Sequence, residues 1–282
     1  MRQVAYVDLT ARKVAIKPIP EELLRQYLGG RGLGAYLLYN HTEKGIDPLG
    51  PENPLILSSG FMGGQFANAM GRCHVTGKSP DTGKYGDSNF GGAFASEMMY
   101  AGFQHIVITG KAKSPTYLFV DNGQIQFRDA SKLWGQDTYQ VQLSLFDELK
   151  DPDVKVACIG EAGERQVGFA CIRHQLKRSA GRTGQGALMG SKNLKAVAVR
   201  GSQSLPVKHP EKLLEITRKQ YEYARRTKIF EITKRWSNLF AWVVNNEREG
   251  IVVRNHRGNF YPEGYGNLDI DIFLEKYGDK ML

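Results

Sequence analysis

Residues 178 to 201, RSAGRTGQGALMGSKNLKAVAVRG, combine the residue types that grip anions. Gly181, Gly184, Gly186 and Gly190 alternate with Arg178, Arg182, Lys192 and Lys195 ahead of an apolar strand. Glycine lets a backbone come close to a ligand and aim its N–H groups at it. A guanidinium grips phosphate oxygens two at a time. The stretch reads as a phosphate cradle, or as a glycine-rich connection between strands with solvated charges. It is not a Walker A loop, because Gly190-Ser191-Lys192 reverses the Lys-Ser order and lies one residue too far from Gly184. Nor is it a dinucleotide fingerprint, since Met189 stands where the third glycine belongs.

Two further clusters share this chemistry. Gly29-Gly30-Arg31-Gly32-Leu33-Gly34 is either a close approach to a ligand or a break between helices, because glycines are costly inside a helix. Gly60 to Gly71 leads through Arg72 into CHVTGKSPDTGKYGDSNFGG, which carries Lys78, Asn89, Gly91 and Gly92. This reads as a long loop without structure of its own, a feature that is usually functional. A helix starting at Ala93, just after glycines, would offer an anion site.

The elements around these clusters are legible from periodicity. Residues 3–8 and 13–17 form a hairpin, and a helix starts at Pro20-Glu21-Glu22. Strands are expected at 54–59, 105–110, 154–159, 167–172 and 195–200, and a hairpin over 115–129 turns at Asp121-Asn122-Gly123. A surface helix covers 138–150, with Val141, Leu145 and Leu149 on one face. Strands and helices do not alternate regularly, so the fold class is α+β. After Gly201 to Pro206 the character changes, and a Lys/Arg-rich helical stretch runs from Pro210 through Arg226 toward Val244. The expected domains are 1–207 and 208–282, the second a mainly helical domain cut short.

The 282 residues are 41% hydrophobic and 10% aromatic, enough to build a core. The formal charge of +9 attracts polyanions or anionic cofactors. Nucleic-acid binding by the basic helix would leave the glycine clusters unexplained, so no nucleic-acid partner is expected. No apolar run is long enough to cross a bilayer, and the first residues read as a strand rather than a signal peptide. Cys73, Cys158 and Cys171 are widely spaced, which fits a reducing cytoplasm and gives no C-x-x-C metal site.

Taken together, the segments GGRGLGAYLL (29–38), GR (71–72), KSPDTG (78–83), DSNFGG (87–92), AGFQHIVITGKA (101–112), DASKLWG (129–135), IGEAGE (159–164) and 178–201 resemble the aldehyde ferredoxin oxidoreductase family, tungsten and molybdenum enzymes with two pterin cofactors. The resemblance implies a β-rich base carrying a tungsten bis-pterin (molybdopterin) cofactor. Gly32, Arg72, Lys78, Asn89, Gly91, Gly92, Arg178, Ser179, Gly181, Arg182 and Gly184 would contact that cofactor. Backbone oxygens of Asn89 and Ser179 would hold a bridging Mg2+. It further implies a [4Fe–4S] cluster bound by a C-x-x-C-x-x-x-C pattern that these residues lack, and an iron–sulfur electron-transfer subunit or ferredoxin as partner in an oligomer.

Within the family, aldehyde-oxidising members tend to read Pro-Thr-Arg-Asn-Phe where this chain has Val252-Val253-Arg254-Asn255-His256. His256, with Glu247 upstream, looks more like the active-site subunits of ATP-independent benzoyl-coenzyme A reductases. The implied activity is reduction of an aryl-coenzyme A, with His256 protonating the ring and Glu247 orienting it. Aldehyde oxidation with ferredoxin as acceptor is the alternative, and a non-catalytic cofactor-binding module without the cluster is another.

Overall fold

The computed structural model describes residues 2–236 and 270–277, with single positions 245, 248, 250, 252, 257 and 258 between them. Its contacts fall into two units, Met1–Pro210 and Glu211–Leu282. The first unit is α+β and rich in strands, as the irregular alternation predicts.

Two six-stranded sheets form it. The first runs β2 (Lys13–Pro18), β1 (Gln3–Asp8), β6 (His105–Thr109), β3 (Leu55–Ser59), β4 (Cys73–Lys78), β5 (Tyr85–Phe90). The second runs β11 (Arg178–Ala180), β10 (Ile172–His174), β9 (Lys155–Cys158), β12 (Leu194–Arg200), β7 (Thr116–Asp121), β8 (Gln124–Asp129). Every residue of β3 is buried, and its central place explains the unbroken run of buried side chains. The β7–β8 turn has Asn122 at φ 44° and Gly123 at φ 90°, the pair of positive values that an Asn-Gly hairpin turn requires.

Two short helices contribute to the core between the sheets. Helix α3 (Phe94–Tyr100) and helix α6 (Gln185–Ser191) touch strands of both, the one-turn helix α5 (Glu161–Glu164) packs on α6, and all seven residues of α6 are buried. One apolar cluster joins Leu55, Leu57 and Val75 of the first sheet to Leu118, Val197 and Val199 of the second through Phe94, Met98 and Leu188. Helices α1 (Glu21–Tyr27) and α2 (Gly30–His41) cover the far face of the first sheet, packing Leu33 and Leu37 on Val4, Ile56 and Val107. Helix α4 (Thr138–Leu149) covers the second through Val141 and Leu145. Its N-cap is Asp137, whose Oδ1 accepts from the N–H groups of Tyr139 at 2.8 Å and Gln140 at 2.9 Å.

Three expectations change. Residues 71–92 are not a bare loop: β4 and β5 pair over their whole length, Cys73 opposite Phe90 and Lys78 opposite Tyr85. Their small and polar residues hid the alternation, because only every second side chain meets the core. The strand expected at 167–172 shrinks to β10, starting at Ile172, because turns occupy the residues before it. The long basic helix is two, α7 (Pro210–Arg225) and α8 (Lys228–Trp236), with Arg226 and Thr227 closing the first. Among the described residues no helix is long and apolar enough to cross a membrane.

Candidate functional site

The two sheets bring one edge of each together. β5 borders the first sheet, β11 borders the second, and they lie side by side. Alternation along β4 and β5 sends Cys73, Val75, Ser88 and Phe90 inward and leaves His74, Asp87 and Asn89 on the outer face. Beyond β11, the Arg182 N–H donates to Ser88 Oγ at 3.1 Å, tying the chain after one edge strand to the other.

Around this seam stand the residues expected to grip an anion. Arg72 Nη1 donates to Asn89 Oδ1 at 2.6 Å, which fixes the guanidinium over the strand. The Arg178 guanidinium lies above Gly91, where a Cβ would come within 3.7 Å of its Nη1. Ser179 pairs with Arg173 in the β10–β11 ladder, and Gly181 follows in open space, where a Cβ would meet only Ser179 Oγ at 3.7 Å. Among the described residues no carboxylate pairs with Arg72, Arg178 or Arg182, and all three are exposed. Guanidinium groups left without carboxylates around two unobstructed glycines suit an anionic ligand.

Sequence reasoning passed over two supports. Asp87 holds Arg31 through Oδ2 (Nε at 2.6 Å) and His74 through Oδ1 (Nδ1 at 3.0 Å), with its own side chain 7% exposed. It thereby anchors the start of α2 against β5. An arginine inside the glycine cluster at 29–34 was the signal for it. Beneath Gly92, His174 donates from Nδ1 to the Val156 carbonyl at 2.8 Å and packs tilted against Phe90 and edge-on against Phe94. Burial holds its imidazole below its ordinary titration range. A Cβ on Gly92 would fall 2.9 Å from His174 Nε2, so that glycine makes room for the ring below the seam.

Other expected residues lie apart. Lys78 ends β4, roughly 17 Å along the strand from its start at 3.3 Å per residue, and its ammonium donates to the Ile46 carbonyl. There it lines a separate cavity of about 510 Å3 with Tyr39, Lys44 and Tyr85. Gly32 has a packing reason, since a Cβ would fall 2.4 Å from the Tyr27 carbonyl oxygen. Gly184 caps α6 at φ 67°, with the Gly168 carbonyl oxygen 1.9 Å from where its Cβ would stand. Lys192 and Lys195 leave the cradle altogether. Both are fully buried: Lys192 donates to the carbonyls of Pro51 (3.0 Å) and Gly110 (3.3 Å), and Lys195 pairs with Glu164 and the Gln136 carbonyl. Spacing could not reveal this, because α6 turns the chain inward after Gly184. His256 and Glu247 lie outside the described residues. Among the described residues no three His, Cys, Asp or Glu side chains gather as a metal site.

The model of the aldehyde ferredoxin oxidoreductase N-terminal domain matches residues 4–201, which include both sheets and the seam. The chain belongs to the aldehyde ferredoxin oxidoreductase family. It is 37% identical over 261 residues to a tungsten-containing aldehyde ferredoxin oxidoreductase of Pyrococcus furiosus, covering 92% of this chain and 43% of that protein. An aliphatic sulfonate oxidoreductase, WOR-like subunit, of the same organism is 32% identical, with 96% of this chain and 46% of that protein covered. Among solved structures it resembles the active-site complex BamBC of benzoyl coenzyme A reductase in complex with 1,5-dienoyl-CoA. That likeness has a TM-score of 0.77 and 36% identity, over 79% of this chain and 34% of that one. The chain thus spans less than half the length of each of these proteins.

Proposed function

We propose that the chain is the cofactor-binding part of a tungsten bis-pterin oxidoreductase acting on an aryl-coenzyme A thioester. The observation that carries the cofactor reading is the seam, where Arg72, Asn89, Gly91 and Arg178 converge from two sheets with no carboxylate among them. A tungsten-containing relative supports the choice of cofactor. The residues fit such a group. Arg72, Arg178 and Arg182 would neutralise pterin phosphates, Gly91 and Gly181 would admit them, and backbone oxygens of Asn89 and Ser179 would hold a bridging Mg2+. When bound, the tungsten centre supplies low-potential electron chemistry.

The substrate reading rests on the benzoyl coenzyme A reductase neighbour and on His256. In it, His256 holds the proton that goes to the aromatic ring, and Glu247 orients the imidazole. An iron–sulfur subunit or ferredoxin delivers the electrons, in a cytoplasmic oligomer. Oxidation of aldehydes is the second reading, favoured by the names of several sequence relatives.

The test is made on the full-length protein from its native host. Tungsten, molybdenum and iron are measured, and turnover of benzoyl-coenzyme A is compared with that of simple aldehydes. Arg178→Gln lowers tungsten content at unchanged fold if the seam holds the cofactor. His256→Ala abolishes aryl-coenzyme A reduction at unchanged tungsten content. Aldehyde turnover without benzoyl-coenzyme A turnover would give the second reading instead.

A further inference from the structure

The cavity of about 510 Å3 lies at the far end of the β4–β5 hairpin from the seam, between the later half of α2 and the turn joining the two strands. Ala35, Leu38 and Ile46 give it an apolar wall, and Lys44, Lys78 and Lys84 line it against a single carboxylate, that of Glu43. No carboxylate pairs with any of the three lysines among the described residues. Tyr39 of α2 and Tyr85 of β5 line the same space. Their rings are 82% and 48% exposed and make no contact with each other. Gly45 at φ 87° and Gly83 at φ 67° border it too, and a Cβ on either would meet nothing within 4 Å.

Aromatic faces beside open space are stacking surfaces for a planar ring. An ammonium is a point charge that suits phosphate, and three lysines against one glutamate leave two positive charges. A phosphate monoester, with ~1.5–2 negative charges, matches that excess, and a single carboxylate does not. The volume lies within the roughly 300–1,000 Å3 of small-molecule sites, so an inorganic phosphate would leave the tyrosines and the apolar wall uncovered. Glycine at Gly45 and Gly83 keeps the loops on either side clear of that space.

We propose that this cavity binds a nucleoside monophosphate, with the base against Tyr39 and Tyr85 and the phosphate on Lys44, Lys78 and Lys84. Such binding is independent of any cofactor held at the seam. It is tested by calorimetric titration of the whole chain with AMP at fixed ionic strength, beside adenosine, ribose 5-phosphate and inorganic phosphate. AMP binds saturably, and each of the other three binds at least ~10-fold more weakly, as loss of a stacked base or of a charged hydrogen bond does. Tyr39→Ala and Lys84→Gln change exposed side chains, so both variants keep the fold, and each weakens AMP at least ~10-fold. Arg178→Gln, at the seam, leaves AMP binding as it was. Coenzyme A runs as a separate arm: if it displaces AMP, the nucleotide end of a thioester is the source, and if it does not, a free nucleotide is. No saturable AMP binding overturns the proposal. So does adenosine, ribose 5-phosphate or inorganic phosphate binding as tightly as AMP, or either cavity variant binding AMP as the parent does. Loss of AMP binding in Arg178→Gln places the nucleotide at the seam and overturns it as well.

Discussion

Arg178 and Gly91 face each other across the seam, and the smallest informative changes are made there. Gly181→Ala adds a methyl to open space, so it leaves stability within ~0.5 kcal/mol while reducing cofactor content. Gly184→Ala does the reverse. It forces a non-glycine residue to φ 67° and drives a methyl into the Gly168 carbonyl, costing at least ~2 kcal/mol of stability by urea unfolding. Two glycines three residues apart in one motif thus separate by purpose, and the spacing alone gives no hint of it. Lys192 makes a third case. Burial holds its ammonium down to about 7 against an ordinary 10.5, so between those values the unfolded chain keeps a proton that the folded chain has released. Stability therefore rises with pH through that window. Cys73 and Cys158 act oppositely, because burial pushes their thiols up to about 12 from 9.0, so their contribution is lost above pH 9. The expected outcome is a thermal midpoint that climbs from pH 7 to pH 9 and then falls. Lys192→Met should flatten the climb and leave the fall.

Among the elements, the β4–β5 hairpin and α6 do most to place the site. The hairpin puts His74 opposite Asn89 and presents both on the outer face, with Asp87 joining His74 and Arg31 beside them. α6 is buried on every side, and its glycines let backbone approach where side chains would collide: a Cβ on Gly190 would fall 1.8 Å from the Gly163 carbonyl oxygen. That packing, not anion binding, accounts for the glycines after Gly184. Helix α4 shows how much of an element can be read in advance. Its apolar spacing is in the sequence, the structure adds the Asp137 cap, and Asp137→Ala should cost about 1 kcal/mol of stability, read from chemical denaturation. Short β10 and β11 could not be read in this way, since three residues carry too little periodicity to declare a strand.

Across the whole molecule, the contact pattern sets Met1–Pro210 apart from Glu211–Leu282. A chain ending at residue 210 should therefore fold alone and melt in one cooperative transition with its strand signal intact, as a unit with its own core does. A broad, non-cooperative melt would mean that this unit depends on the rest. Ordered motifs along 29–201 carried the family and named Arg72, Asn89, Gly91 and Arg178 as candidates, and the irregular alternation of strands and helices carried the α+β class, because residue type and order are linear properties. Which glycines stand in open space and which face backbone, and which lysines are buried, depends on where strands far apart in the chain come to lie. Proximity of β5 to β11 results from two sheets closing over α3 and α6, and no local signal encodes that. The chain's order named the candidate groups, and the closing of one sheet edge on another set Arg178 over Gly91 and tied Arg182 to Ser88.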